Sequence, residues 1–328
     1  MRCPRLSDLP TPPPGKTGFP WTEETAPLPD TLPNGRSWQK ISIVTPSYQQ
    51  GEFIEETIRS ILLQGYPNLE YIIIDGGSTD ASVEIIQKYQ PFLTDWVSER
   101  DRGQSHAINK GWKRATGDIL HFLNSDDLLL PRTLAIVAQT FSQDDTIQVV
   151  SGVCPVKDED LKEELRSKPP RDFDLAYFLL DREGPGQPAT FITREVYEKT
   201  GGMDERLHYT MDREYWMRVS LRCPGVKVAK LEQPLAIYRW RSQCKSAQAE
   251  VPYCEREKVL DIYFSELSLP EHLQTLKRQA YTILCLAAAG LCQRTRARGK
   301  AIRFFLKALY WNPRLIKSAP RFFLGLVS

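Results

Sequence analysis

From Trp38 onward, apolar runs alternate with segments of helical period. The run "ISIVTP" leads into a segment with Ile54, Ile58, Ile61 and Leu62 on one helical face. "YIIIDGG" leads into one carrying Val83 and Ile86, "LTDWVSE" into one carrying Ile108, Trp112 and Ala115, and "DILHFLN" into one carrying Leu134, Val137, Ala138 and Phe141. This is a βαβαβαβα pattern. Short all-apolar strands joined by amphipathic helices predict an α/β fold with a mainly parallel sheet covered by helices on both faces. Ligands of such sheets bind beyond the carboxyl ends of the strands. The polar clusters "VTPSY", "DGGSTD", "ERDRGQ" and "NSDD" each follow a predicted strand, so all four should meet at one edge.

After Thr140 the pattern loosens. "IQVVSGV", "ATFIT" and "VKVAKLEQPLAIYRW" read as further strands, and Asp212 to Leu221 as a short helix with Tyr215, Trp216 and Val219 inward. The charged stretch "KDEDLKEELRSKPPRD" reads as a solvated excursion. From about Glu255 the chain reads as helical, with a proline near Leu269 and breaks at Asn312-Pro313 and Ala319-Pro320. Residues 1–38 contain nine prolines and almost no apolar period, which predicts an extended or disordered arm. The expected organisation is therefore an arm over 1–38, an α/β domain over 39–250 and a basic helical extension over 251–328.

Composition changes this picture little. At 328 residues, 41% hydrophobic and 26% charged, the chain has an ordinary globular balance and a net charge of +2. Charge distribution says more: from His272 to Ser328 there are eleven Lys or Arg and no acid. Seven cysteines, Cys3, Cys154, Cys223, Cys244, Cys254, Cys285 and Cys292, show no CxxC pair and read as reduced thiols of a cytoplasmic protein. No signal peptide is visible, and "YTILCLAAAGLC" is shorter than a membrane span requires.

The chemistry concentrates in "HFLNSDD". Two adjacent carboxylates, Asp126 and Asp127, repel one another, and a divalent cation would relieve that cost while taking its remaining oxygens from water and substrate phosphates. The alternative is that either Asp caps the turn before Pro131. In "IIIDGGSTD", Asp75 reaches the strand end, where it reads as a hydrogen-bond acceptor for a base or ribose, and Gly76 and Gly77 permit a sharp turn. The first turn, "TPSYQQG", has no GxGxxG, so a hydride-transferring dinucleotide enzyme loses its main support.

Three stretches together resemble a family 2 glycosyltransferase of the GT-A fold. They are "ISIVTPSYQQGEFIEETIRSILLQGYPNLEYIIIDGGSTDASVEII", "SERDRGQSHAINKGWKRATGDILHFLNSDD" and "GQPATFITREVYEKTGGMDERLHYTMDREYWMRV", within residues 40–245. The resemblance implies a Rossmann-like sheet and inverting transfer of a sugar from a nucleotide-diphosphate donor, a UDP-sugar first among them, with Mg²⁺ or Mn²⁺. Carried over residue by residue, it implies that Thr45, Pro46 and Tyr48 flank the base and that Asp75 reads it. Asp101, Arg102, Gly103, Gln104 and Asn109 approach the ribose, diphosphate or sugar, although Arg102 also fits a surface ion pair and Asn109 helix capping or packing. Asp126 matches the chief metal ligand, with Asn124, Ser125 and Asp127 beside it. Asn124 stands where the family usually has an acid.

Asp212 matches the general base, at a helix start that favours its ionised form. Asp204 and Glu205 read as turn residues instead. Gln187 and His208 are candidate contacts to acceptor or sugar. Arg241 stands where the family often has a metal-binding histidine, and a cation cannot ligate a cation; it could instead neutralise phosphate. The acceptor implied is a glycan, lipid-linked or other hydroxyl. The basic tail, with Phe304, Phe305, Leu309, Tyr310, Trp311, Phe322 and Phe323, reads either as attachment to the anionic inner face of the plasma membrane or as a packed bundle with a solvated basic face. No recognised DNA- or RNA-binding motif accompanies it. Two rival readings are a catalytically silent sugar-nucleotide-binding or scaffolding protein, and a nucleotidyltransferase, which would need a glycine- and arginine-rich loop after the first strand.

Overall fold

A computed structural model of the chain describes residues 1–32, 34–242 and 251–318. Cys244, the Ala319-Pro320 break, Phe322 and Phe323 lie outside the described residues. In chain order the elements are β1 (Ile41–Ser47), α1 (Ile54–Leu62), β2 (Leu69–Asp75), α2 (Ser82–Tyr89), β3 (Asp95–Ser98), α3 (Gln104–Arg114), β4 (Ile119–Phe122), β5 (Leu128–Leu129) and α4 (Thr133–Gln143). They continue with β6 (Val149–Lys157), β7 (Glu164–Lys168), α5 (Leu175–Leu179), β8 (Thr190–Thr193), α6 (Arg194–Thr200), α7 (Met211–Arg222), β9 (Val228–Pro234) and β10 (Ala236–Arg239). Helices α8 (Val251–Asp261), α9 (Glu271–Gln274), α10 (Lys277–Arg294) and α11 (Arg298–Trp311) follow. By contacts the chain forms two compact units. The first comprises Met1–Phe173, Pro185–His208 and Arg218–Trp240, the second Asp174–Gly184, Tyr209–Met217 and Arg241–Ser328.

The first unit holds the sheet, in the order β3-β2-β1-β4-β8-β6-β10-β5, with β7 and β9 also paired to β6. Strand β1 runs parallel to β2 and β4, and β2 parallel to β3, so the carboxyl ends of these four strands share one edge. Beyond β4 the sheet is mixed, because β8 is antiparallel to both β4 and β6. Every residue of β1 and β2 is buried, as expected for strands covered on both faces. Alternation sorts their side chains: Ile41, Ile43, Tyr71 and Ile73 join Ile54, Ile58 and Ile61 of α1 and Ile86 of α2 in one core cluster. Val44 points the other way, against Gly111 of α3.

Three features differ from the reading of the sequence. The charged excursion contains β7, a largely exposed strand antiparallel to β6. The run "VKVAKLEQPLAIYRW" divides into β9 and β10 around Leu235, whose amide donates to the Val153 carbonyl at 3.1 Å and whose carbonyl accepts from the Leu130 amide at 2.9 Å. The proline-rich arm has almost no regular structure, yet Cys3, Leu9, Trp21 and Leu32 are buried in the first unit. Prolines deprive the arm of amide donors, so its carbonyls must find partners elsewhere.

Arg59 of α1 meets that need. Its side chain is fully buried; Nε donates to the Pro20 carbonyl, Nη1 to the Pro10 carbonyl and the Tyr89 hydroxyl, and Nη2 to the Trp21 carbonyl, each at 2.9 Å. The guanidinium also lies over the Trp21 ring, 5.4 Å from its centroid. Glu55 accepts from Tyr89 and from Lys88, both at 2.8 Å, and supplies counter-charge through the Tyr89 hydroxyl.

In the second unit α10 and α11 pack through Ala288, Ala289 and Cys292 against Ala301, Phe304 and Phe305. The break before Pro313 falls where α11 ends. Six cysteines are described, none of them in a disulfide. No helix among the described residues is long and apolar enough to cross a membrane.

Arg59→Ala removes four hydrogen bonds and strands the carbonyls of buried Pro20 and Trp21 and of half-buried Pro10, a buried one costing about 1–3 kcal/mol. The variant should lose about 3 kcal/mol or more by urea denaturation, and a protease should cut within residues 1–38 while the sheet survives. Wild-type resistance of the arm would contradict this account.

Candidate active site

The carboxyl edge of the first four strands is built from turns that hold one another. Asp75 ends β2 with no solvent exposure. Its Oδ1 accepts from the hydroxyls of Ser47 at 3.1 Å and Ser78 at 2.6 Å; its Oδ2 accepts from the amides of Gly77 at 3.0 Å and Ser78 at 2.8 Å and from the Ser98 hydroxyl at 2.7 Å. Asp75 thus ties the ends of β1, β2 and β3 together, and its oxygens are occupied by the protein itself. Gln49 latches the first turn to the second: its amide donates to the Ser78 hydroxyl at 2.8 Å and its side chain to Thr79 at 2.9 Å. Thr45 is fully buried and meets the Tyr71 hydroxyl at 3.1 Å, and Pro46 is buried beside it. Tyr48, by contrast, is 60% exposed.

The third turn packs against the second. A β-carbon at Gly76 would lie 2.7 Å from Asp101 Oδ2, so any other residue there would push the Asp101 carboxylate aside. Asp101 Oδ1 accepts from the Gly103 amide at 2.8 Å, and Gly103, at φ +114°, is the N-cap of α3. Its α-carbon faces His208, whose Nδ1 would lie 3.3 Å from a β-carbon there. Arg102 pairs with Glu205. Asn109 is buried and clamps the "GGMDE" turn, donating to the Met203 carbonyl at 2.9 Å and to Glu205 at 3.1 Å while accepting from the Met203 amide at 2.7 Å. Burial raises the Glu205 pKa, but these bonds from Asn109 and Arg102 outweigh it and hold the carboxyl below its usual value.

The fourth turn carries the acid pair, and the structure separates their environments. Asp127 has no solvent exposure. Its Oδ1 accepts from the Arg239 amide and its Oδ2 from the Asn124 side-chain amide, both at 3.0 Å, and the Thr57 hydroxyl donates to its carbonyl at 2.8 Å. Burial, reinforced by the neighbouring Asp126 charge, pushes the Asp127 carboxyl well above the usual range. Asp127 is therefore enclosed by the protein, and Asp126, half-buried, is the more accessible of the two. Ser125 between them is buried. Asn124 also accepts from Gln104 at 2.6 Å, which joins the third turn to the fourth. Gln187 donates to the Phe122 carbonyl at 2.6 Å, and its buried Oε1 has no hydrogen-bond donor among the described residues.

Asp212 and Arg241 belong to the second unit. Asp212 lies in the first turn of α7, and its Oδ1 accepts from the Arg213 amide at 2.8 Å. Arg241 follows the end of β10 by two residues.

Two residues missed in the sequence stand behind the acid pair. Arg239, 4% exposed, donates through Nε to the Asp126 carbonyl at 2.9 Å and through Nη2 to Glu56 at 2.6 Å. An arginine inside the apolar run "PLAIYRW" was a signal, since a charge in a buried strand requires a partner. That the partner is Glu56 of α1, far away in the chain, is not written locally.

A divalent cation bound here would find hard carboxylate oxygen at Asp126, while among the described residues no cluster of three or more His, Cys, Asp or Glu forms a metal cage. This donor set fits an ion that arrives with, and is largely ligated by, a phosphate-bearing substrate.

A parallel-edge site of this kind on a mixed, helix-covered sheet with C-terminal helices is a GT-A glycosyltransferase architecture. Residues 42–201 match the model of glycosyl transferase family 2, and an uncharacterized glycosyltransferase of Mycobacterium tuberculosis is 30% identical over 195 residues, covering 57% of this chain and 71% of that protein. The chain belongs to glycosyl transferase family 2. Its fold is similar to that of S. aureus TarS 1-349 in complex with UDP-GlcNAc (TM-score 0.60, 16% identity, 86% of this chain and 92% of that one). It is also similar to mannosyltransferase PcManGT from Pyrobaculum calidifontis in complex with GDP-Man and Mn²⁺ (TM-score 0.55, 18% identity, 93% and 90% covered).

His121 supplies a pH test of the strand that delivers this turn. It is buried, stacked on Phe191 at 4.0 Å between centroids, with Nδ1 3.0 Å from the Thr190 carbonyl. Burial holds its pKa down to about 3. The unfolded chain, with a His pKa of about 6.5, takes up the proton first, so His121 costs nothing above that value and lowers stability as pH falls through 6.5 toward 3. The slope is about 1.4 kcal/mol per pH unit. Urea denaturation of His121→Gln should show a flatter acid limb over this window; an unchanged slope would show that His121 is not buried neutral.

Proposed function

We propose that this glycosyltransferase moves a sugar from a nucleotide-diphosphate donor, with a UDP-sugar as the first to test, onto a hydroxyl of a glycan, lipid-linked or other acceptor, with inversion and with Mg²⁺ or Mn²⁺. The observation that carries the reading is the convergence of four polar turns on one parallel edge, where Asp127 is enclosed and Asp126 is the more accessible acid. TarS with UDP-GlcNAc and PcManGT with GDP-Man and Mn²⁺ support a nucleotide-sugar donor and leave the base open.

In this reading the first two turns take the nucleoside, with Tyr48 against the base and Thr45, Pro46 and Asp75 shaping the floor. Asp101, Arg102, Gly103, Gln104, Asn124 and Ser125 line the path of the diphosphate, and the amino end of the eleven-residue α3 favours negative charge there. Asn109 and Asp127 hold the turns in place. Asp126 would hold the cation, which would neutralise charge on the departing diphosphate. The acceptor oxygen bonds to the anomeric carbon on the face opposite the diphosphate. As that bond forms, the carbon–oxygen bond to the diphosphate breaks, its electron pair leaves with the nucleotide, and the hydroxyl proton passes to Asp212. Gln187, with its buried unpaired acceptor, and His208 contact sugar or acceptor; Arg241 adds positive charge near phosphate.

Two variants separate the roles. Asp126→Ala should abolish Mn²⁺-dependent binding of a UDP-sugar in calorimetry without unfolding the chain. Asp212→Asn should retain donor binding while transfer to acceptor falls by roughly 10²-fold or more. Unchanged donor affinity in the first, or near-normal transfer in the second, removes that residue from its role. Nucleoside diphosphate release by the wild type excludes a silent binding protein.

We also propose a peripheral site of action on an anionic leaflet, on the cytoplasmic side. Leu306, Tyr310 and Ile316 are exposed beside exposed Arg303, Arg314 and Lys317, in a stretch without acids. The protein should sediment with anionic vesicles, not with neutral ones, and salt should release it. Indifference to anionic vesicles would leave the basic face as a solvated surface.

A further inference from the structure

We propose that Arg239 is a positioning residue for sugar-nucleotide binding: from behind the Asn124–Asp127 turn it sets the direction of Asp126, and it is itself braced by Glu56 and the N-terminal arm. The proposal rests on the reading that Asp126 faces the donor and its cation.

The contacts define the device. Arg239 engages both acids of the turn, with its amide on Asp127 Oδ1 at 3.0 Å and its Nε on the Asp126 carbonyl at 2.9 Å. Its Nη1 donates to the Glu159 carbonyl and its Nη2 to Glu56 Oε2 at 2.6 Å, and the guanidinium lies 5.1 Å from the centroid of the Phe53 ring. Glu56 is in turn held by the Trp21 indole, which donates to Oε1 at 3.0 Å. The line therefore runs Trp21, Glu56, Arg239, Asp126, all within the first unit. A planar guanidinium reaches three acceptors in fixed directions, which a lysine ammonium cannot reproduce.

Direction matters here because, among the described residues, no cluster of three or more His, Cys, Asp or Glu is placed to hold a metal. Asp126 is the more accessible acid of its turn, so the affinity for a cation carried by a diphosphate depends on how that carboxylate is aimed, and groups that orient a ligand typically contribute 10- to 100-fold in metal affinity. Arg239 also places one positive charge beside Glu56 and behind the turn of Asp126 and Asp127.

The test uses the full chain, with UDP and Mn²⁺ as probes in calorimetry and urea denaturation to check folding. Arg239→Lys should weaken Mn²⁺-dependent UDP binding by about 10-fold or more and leave metal-free UDP binding unchanged. In the Asp126→Ala background the same substitution should have no further effect on UDP binding, an outcome that general loosening of the fold would not produce. Should Arg239→Lys not fold, Glu56→Gln carries the same test, since an amide loses the charge opposite the guanidinium and keeps one acceptor oxygen where the carboxylate serves both Trp21 and Arg239. Wild-type Mn²⁺-dependent binding in the folded variant, or an equal loss with Asp126 absent, overturns the proposal. If Asp126→Ala alone leaves Mn²⁺-dependent binding intact, the metal reading fails and this proposal fails with it; if Asp126→Ala loses binding and Arg239→Lys does not, only this proposal falls.

Discussion

Asp127 is a carboxyl group with no exposure to solvent, and a chain can keep such a group only by surrounding it with donors. Those donors come from widely separated parts of the sequence: Asn124 within the turn and the Arg239 amide at the end of β10, with Thr57 of α1 holding the turn by its carbonyl. Meeting one buried polar demand therefore fixes where α1, β4 and β10 stand relative to one another. The turn that carries Asp126 inherits its position from that solution.

The same logic governs the other strand ends. Asp75 gathers Ser47, Gly77, Ser78 and Ser98, so three parallel strands end in one hydrogen-bonded cluster. Gly76 lets Asp101 approach, and Gln104 reaches Asn124. Each turn is held by its neighbours within the protein itself, and the proposed transfer would draw on that preorganisation. Residues 42–201, which match the glycosyl transferase family, include this edge; the helices of the second unit are a separate packing problem, solved by small residues of α10 receiving Phe304 and Phe305 of α11.

Much of the fold was legible because its signals are local. A four-residue apolar run, a helical repeat and a polar turn each lie within a dozen residues, and "ISIVTP", "YIIIDGG" and "DILHFLN" become β1, β2 and β4. What escaped was long-range. The arm looked free because prolines and polar residues carry no period, and its attachment depends on Arg59, whose partners are carbonyls that any sequence has. Asp75 read as an acceptor for a base or ribose and Asp127 as a neighbour of the metal ligand, because an acid at a strand end is how a ligand site begins; the hydrogen bonds their oxygens accept from distant parts of the chain are not written locally.

The sequence by itself determined the strand–helix alternation, the glycosyltransferase motifs, their order along the chain and the carboxyl edge at which they would gather. These follow from periodicity and turn chemistry, which act between near neighbours. Only the tertiary structure decided which acid is enclosed and which is accessible, that Arg239 donates to the acid turn, that the sheet becomes mixed beyond β4, and that a proline-rich arm is part of the folded core. The reason is physical: burial and hydrogen-bond satisfaction are properties of a whole packed arrangement, and identical residues such as Asp126 and Asp127 differ only in what the rest of the chain brings to them.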